Sequence, residues 1–204
     1  MRPARLAIAL AALAALWLAM LLLGAGAADR ALLDRLYAGN DQLAAAARLL
    51  TQLGGSPILV PVSFGAALAA WLIHRDWRAP AWFVVMAFAG RLLVELQKGW
   101  TMRLRPDAHE QLAPITSYAF PSGHAANATI VWLGAALLLA RGRAVPWAIG
   151  GGALIAFIVG LSRPMLGVHW PSDVLAGWSL GLLWTLLLVR LSGAPPKDCS
   201  PASA

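Results

Sequence analysis

The sequence predicts an all-α integral membrane protein, a bundle of six helices, and two observations lead there. Of its 204 residues, 60% are hydrophobic and only 12% charged, with a mean hydropathy of +0.69, a composition that a soluble globular domain does not have. Apolar runs recur at 6–28, 57–73, 80–96, 125–140, 145–161 and 174–191. Each is about long enough to cross a hydrocarbon layer of roughly 30 Å with slight tilt or thinning.

The first run follows Met1-Arg2-Pro3-Ala4-Arg5 and ends near Ala25-Gly26-Ala27, so it also resembles a secretory signal with a small-residue cleavage site. Its apolar core exceeds the roughly 7–15 residues of such a signal, and the expectation is an uncleaved first helix. Next, Leu32, Leu33, Leu36, Leu43, Leu50 and Leu53 alternate with charges at helical spacing, interrupted at Gly39-Asn40. That pattern predicts a short amphipathic helical pair over 29–55, either lying at the outer interface or packed on the bundle. Runs two to six are the remaining spans, and Pro171 suits the first turn of the last one. Of ten tryptophans, Trp71, Trp77, Trp82 and Trp147 lie near one set of helix ends and Trp100 and Trp170 near the other, as aromatic belts do. Without an internal repeat or long linker, 1–192 reads as one membrane domain and 193–204 as a disordered cytoplasmic tail.

Loop charge sets the orientation, because Lys and Arg near helix ends are held on the cytoplasmic side. Arg2 and Arg5, Arg75 and Arg78, Arg141 and Arg143, and Arg190 and Lys197 fall on one side if six helices alternate. Both termini are then cytoplasmic, in a bacterial-type inner membrane, and the loops 29–56, 97–120 and 162–172 face outward. These loops carry cations too, among them Arg30, Arg35, Arg48, Lys98, Arg103, Arg105 and Arg163, which calls for a separate cause. The formal charge of +7 is spread over short loops and forms no stripe, which argues against nucleic acid as a partner. Cys199 is the only cysteine, so no intramolecular disulfide forms.

Chemistry-bearing residues gather in three outward loops. Lys98 and Arg105-Pro106 come just after the third span, where two cations also suit lipid headgroups. Pro121-Ser122-Gly123-His124 precedes the fourth span. Ser122 is placed as an N-cap, Gly123 lets the backbone approach a ligand, and free N–H groups at a helix start attract an anion. Ser162-Arg163 and His169-Trp170-Pro171-Ser172-Asp173 flank the last connection. Asp173 sits one turn after His169 and can hold one ring nitrogen, leaving the other free to attack; a plain helix-start ion pair fits this stretch equally well. Taken together at the outer ends of helices three to six, Lys98, Arg105 and Arg163 would neutralise a phosphate, His169 would attack it and His124 would protonate the departing oxygen. Arg91, Glu95 and Lys98 share one face of the third helix, either as an Arg91–Glu95 pair or with Glu95 steering Lys98.

Lys98-x6-Arg105-Pro106, Pro121-Ser122-Gly123-His124 and Ser162-Arg163-x5-His169-x3-Asp173 resemble the three-part signature of the type 2 phosphatidic acid phosphatase superfamily, in order and in internal spacing over 98–173. The resemblance implies a six-helix membrane phosphatase acting through a phosphohistidine. It makes His169 the nucleophile, Asp173 its orienting carboxylate and His124 the general acid. Lys98, Arg105, Ser122, Gly123 and Arg163 would then cradle the phosphate.

Family members of this size act on undecaprenyl diphosphate, phosphatidic acid, phosphatidylglycerophosphate or lipid A, so the expected partner is a phospholipid or isoprenoid-lipid phosphate. No metal or other cofactor is expected: Asp173 is the only acidic motif residue, whereas a hard divalent cation prefers several oxygen ligands. Two rival readings are a lipid phosphotransferase using the same phosphohistidine and a non-enzymatic anion transporter; the transporter lacks visible inverted repeats. The six apolar spans exclude the soluble vanadate-dependent haloperoxidases that share the signature. Oligomeric state is left open by the sequence.

Overall fold

A computed structural model describes residues 3–191, so the tail expected at 193–204 lies outside the described residues. Among these residues there are eight α-helices, one 3-10 turn and no strand. The helices are α1 (Pro3–Leu23), α2 (Ala27–Leu36), α3 (Asp41–Gln52), α4 (Ser56–His74), α5 (Arg78–Thr101), α6 (Gly123–Leu139), α7 (Val145–Met165) and α8 (Pro171–Leu191), with the 3-10 turn at Gly142–Ala144. The six apolar runs fall on α1 and α4 to α8. Four segments are long and apolar enough to cross a membrane: Pro3–Leu23, Asp41–Ile73, Arg78–Thr101 and Gly142–Met165. The apolar α6, at 17 residues, is shorter than the usual span of about 20.

The two helices beyond the expected six are the amphipathic pair. Asn40 separates them by capping α3, its side chain accepting the Leu43 N–H at 2.9 Å. Of the two readings of 29–55, packing on the bundle is the one observed: Leu33 is buried with Ala119 and Trp170, and Ala47 with Leu166 and Val168.

Helix α6 is the axis of the bundle, packed on by α4, α5, α7 and α8. It can be surrounded because its faces are small: Gly123, Ala125, Ala126, Ala128, Gly134 and Ala135 are all buried. The Gly177-x3-Gly181 pair of α8 lies against it so closely that a Cβ at Gly177 would come 2.6 Å from Ser122 O, and one at Gly181 2.8 Å from Ala126 O. Such small-residue pairs let helices approach in an apolar medium where lipid tails already solvate leucine. This contact sets α8 at the start of α6, and Ser122 N–H donates to Asp173 O at 2.9 Å.

Two boundaries differ from the sequence expectation. Lys98 lies in the last turn of α5 and Ser162 and Arg163 in the last turn of α7, where loops were expected. Hydropathy ends at the charge, but the backbone ladder continues at no cost, and a cation is favoured at a helix C-terminus by the carbonyl dipoles. Helix α5 ends one turn later, where Met102 takes a left-handed conformation (φ 46°).

Candidate active site

The link between α7 and α8 is only five residues long, 166–170, and it carries His169. Imidazole and Asp173 are one helical turn apart, with Nδ1 3.4 Å from Asp173 Oδ2. The same oxygen accepts the Trp170 N–H at 3.0 Å, and the other carboxylate oxygen accepts Arg103 Nη1–H at 2.9 Å. Asp173 is fully buried, so this cation compensates its charge. With the carboxylate on Nδ1, the proton sits there and Nε2 keeps its lone pair, directed toward Arg105 Nη1 at 3.2 Å. Burial first, and then the Arg105 and Arg163 charges, hold the His169 imidazole well below its ordinary range, so it is neutral at neutral pH.

The 102–122 segment carries Arg105 over the helix ends. Its guanidinium is held by Ser117 O at 2.7 Å, Tyr118 O at 3.1 Å and Val168 O, with Ser117 Oγ at 3.3 Å. Burial lowers this guanidinium to about 10, partly opposed by Asp173, and it stays cationic at neutral pH. Lys98 enters from α5: its ammonium donates to Glu95 Oε1 at 3.0 Å and reaches Ser117 Oγ at 3.4 Å. A Cβ on Gly123 would sit 3.3 Å from the Lys98 nitrogen, so the bare backbone at the start of α6 faces this cation. Arg163 reaches from α7 to Thr51 Oγ1 at 2.7 Å, and its charge acts on both His124 and His169.

All eight residues singled out in the sequence therefore belong to one cluster at a single end of α5 to α8. Two buried polar atoms in it have no protein partner, Ser122 Oγ and Arg163 Nε. Ser122 occupies the N-cap position of α6 but, contrary to expectation, its side chain caps nothing. A hydroxyl that neither caps nor meets solvent costs about 1–3 kcal/mol, a deficit that an anion's oxygens would relieve. Of the two readings of Glu95, the contact is with Lys98, while Arg91 bonds Ser56 Oγ instead.

Sequence reasoning missed Arg103 and Asp29. Arg103 donates through Nη2 to Met20 O and Leu21 O at 3.0 and 2.7 Å, tying the end of α1 to Asp173, and stacks over Phe120 at 4.3 Å. Asp29 accepts Ser172 N–H at 2.9 Å and the Ser172 hydroxyl, fixing the first turn of α8. A cation-rich run around Arg103 is visible in the sequence, but nothing local distinguishes it from its neighbours. Among the described residues no group of three or more His, Cys, Asp or Glu side chains could hold a metal ion.

The pattern of the PAP2 superfamily matches residues 79–195. Phosphatidylglycerophosphatase B of Bacillus subtilis is 35% identical over 149 residues, covering 68% of this chain and 70% of the relative. Undecaprenyl-diphosphatase of Sulfolobus acidocaldarius is 33% identical over 153 residues, covering 72% and 69%. Among solved structures, the transmembrane PAP2 type phosphatidylglycerolphosphate phosphatase from Bacillus subtilis superposes with a TM-score of 0.82 at 28% identity, over 89% of this chain and 94% of that one.

Proposed function

Because the chain belongs to the PAP2 superfamily and is a multi-pass membrane phosphatase, we propose that it hydrolyses a lipid phosphate or diphosphate through a phosphohistidine. Substrates of the class of undecaprenyl diphosphate, phosphatidic acid or phosphatidylglycerophosphate fit this reading. His169 Nε2 attacks phosphorus while Asp173 holds Nδ1–H, and His124 gives a proton to the departing oxygen. Lys98, Arg105, Arg163, the Ser122 hydroxyl and the Gly123 N–H stabilise the equatorial oxygens, and water then releases phosphate from His169. The observation that carries the reading is the pair of orphaned polar atoms, Ser122 Oγ and Arg163 Nε, beside cations that surround His169.

The domain 1–192 spans the membrane six times, through α1 and α4 to α8, with both termini cytoplasmic. The cluster of 98–173 faces outward, and the lipid enters sideways with its tail still in the bilayer. Loop charge and the six apolar runs support this layout. The purified protein in vesicles, offered a panel of lipid mono- and diphosphates, should release free phosphate, and His169→Ala should bring release to background. Retained activity in His169→Ala, or no release from any lipid, would overturn the proposal. A reporter fused after Ala108 should behave as external and one after Arg143 as internal; the reverse refutes the orientation.

A further inference from the structure

Arg91 is unaccounted for by the phosphate cradle. It lies seven residues before Lys98 on α5, about 10 Å deeper along the helix axis, and its side chain is exposed on a membrane-spanning segment. A cation carried by such a segment without an acidic partner is costly and marks a functional position by default. No carboxylate lies within ion-pair distance of it among the described residues; its guanidinium bonds the neutral Ser56 hydroxyl at the start of α4. Ser56 follows Gly55, where a Cβ would stand 3.9 Å from His124 Nε2. The Arg91 charge accordingly acts on both Lys98 and His124. Arg91 and Ser56 thus lie beside His124 where the start of α4 meets α5.

The leaving group must lie beside His124 if His124 protonates the departing oxygen, while the lipid tail stays in the bilayer. A diacylglycerol leaving group presents no anion there. A leaving group that carries its own phosphate does, and an exposed guanidinium beside His124 is suited to meet it with charge-assisted hydrogen bonds. We propose that Arg91, held by Ser56, forms a leaving-group subsite for a second phosphate, so that the substrate class is a lipid whose departing portion is itself phosphorylated. The proposal rests on the reading of His169 and His124 given above.

Two sources share this chemistry, an isoprenoid diphosphate, with the phosphates joined by one oxygen, and phosphatidylglycerophosphate, with a glycerol between them. The reaction balances in either case. The His169–phosphorus bond forms, the bond from phosphorus to the departing oxygen breaks, and that oxygen leaves as part of a lipid monophosphate or of phosphatidylglycerol. Water then breaks the phosphorus–nitrogen bond to give inorganic phosphate.

The test measures kcat and KM of the full-length protein in vesicles on polyprenyl diphosphate, phosphatidylglycerophosphate and phosphatidic acid. Arg91→Gln should lower kcat/KM by about 10- to 100-fold on whichever of the first two the subsite serves, and by no more than about threefold on phosphatidic acid. The larger of the two losses identifies the source. Arg91→Lys, which keeps the charge and loses the fork, should show a smaller loss with the same selectivity, and it serves as the test variant if the glutamine protein does not fold. Equal losses on all three lipids would mean that Arg91 only staples α5 to α4, and no loss would mean that it touches no substrate; either result overturns the subsite. Wild-type protein that releases no phosphate, or His169→Ala that retains activity, refutes the underlying hydrolase reading instead.

Discussion

Arg103→Met tests how the His169–Asp173 pair is held. The guanidinium is 11% exposed and its carboxylate partner fully buried, with 2.9 Å between them. Removing one member of a buried pair costs about 3–5 kcal/mol, because the remaining charge is left uncompensated. Asp173 would keep only the Trp170 N–H at 3.0 Å and the 3.4 Å contact to His169. The carbonyls of Met20 and Leu21 would lose their donor as well, loosening α1 from α8. By analogy with outer partners that orient metal-bound histidines, whose loss costs about 10- to 100-fold in activity, the effect falls short of the about 10⁴-fold cost of losing the carboxylate's hold on a catalytic imidazole. The expected result is a kcat per folded molecule reduced by about 10- to 100-fold with KM little changed, since Arg103 bonds Ser172, Asp173 and the end of α1 and none of the residues proposed to bind phosphate. Arg103→Lys should recover part of it. Kinetics on lipid phosphate, normalised to folded protein by thermal unfolding, provide the measurement. A variant that melts earlier but turns over at the wild-type rate would show that Arg103 is purely structural and would refute the positioning role.

The two histidines separate by leaving group. His124→Ala should lose far more activity on a lipid monophosphate than on an aryl phosphate, because general acid help is worth about 10²–10⁴-fold for an alkoxide and little for a nitrophenolate. His169→Ala should lose both, and equal damage by His124→Ala would make His124 part of the cradle. Because His169 is held neutral below its ordinary 6.5 while the unfolded chain protonates near that value, the unfolded state binds more protons as pH falls. This contribution to stability is therefore full above about pH 6.5 and lost below it, so the melting temperature should fall from pH 7 to pH 5, less steeply in His169→Gln. An equal slope in the variant contradicts the assignment. Glu95→Gln should raise KM or lower kcat at an unchanged yield of folded protein, since Glu95 holds Lys98 at 3.0 Å; unaltered kinetics would reduce the pair to a surface contact. EDTA should leave activity intact and vanadate should inhibit; inhibition by EDTA that Mg2+ reverses would contradict a metal-free reaction.

Features written locally in the chain are legible in its sequence alone. The six apolar runs, the helix start at Pro171, the break at Gly39-Asn40 and the turn that brings Asp173 to His169 depend on spacing within one segment. The three motifs are legible for the same reason, because each places its residues within a few positions of a helix end. Helix extent at Lys98 and Arg163 is not, because hydropathy reports where the apolar surface ends, while backbone hydrogen bonding continues through a charged residue whose side chain finds a partner.

By itself, then, the sequence determined that this is a helical membrane protein and which residues make up the three motifs, since burial of apolar surface and motif spacing are properties of contiguous chain. Only the tertiary structure decided what supports those residues. Arg103 meets Asp173 across 70 positions and Asp29 meets Ser172 across 143. The Ser122 hydroxyl is buried without a partner at the start of α6, where the small-residue seam of α8 packs against the Ser122 backbone. Such pairings follow from which helices pack together and at what height, and a buried charge takes whichever partner that packing delivers, whatever its distance along the chain.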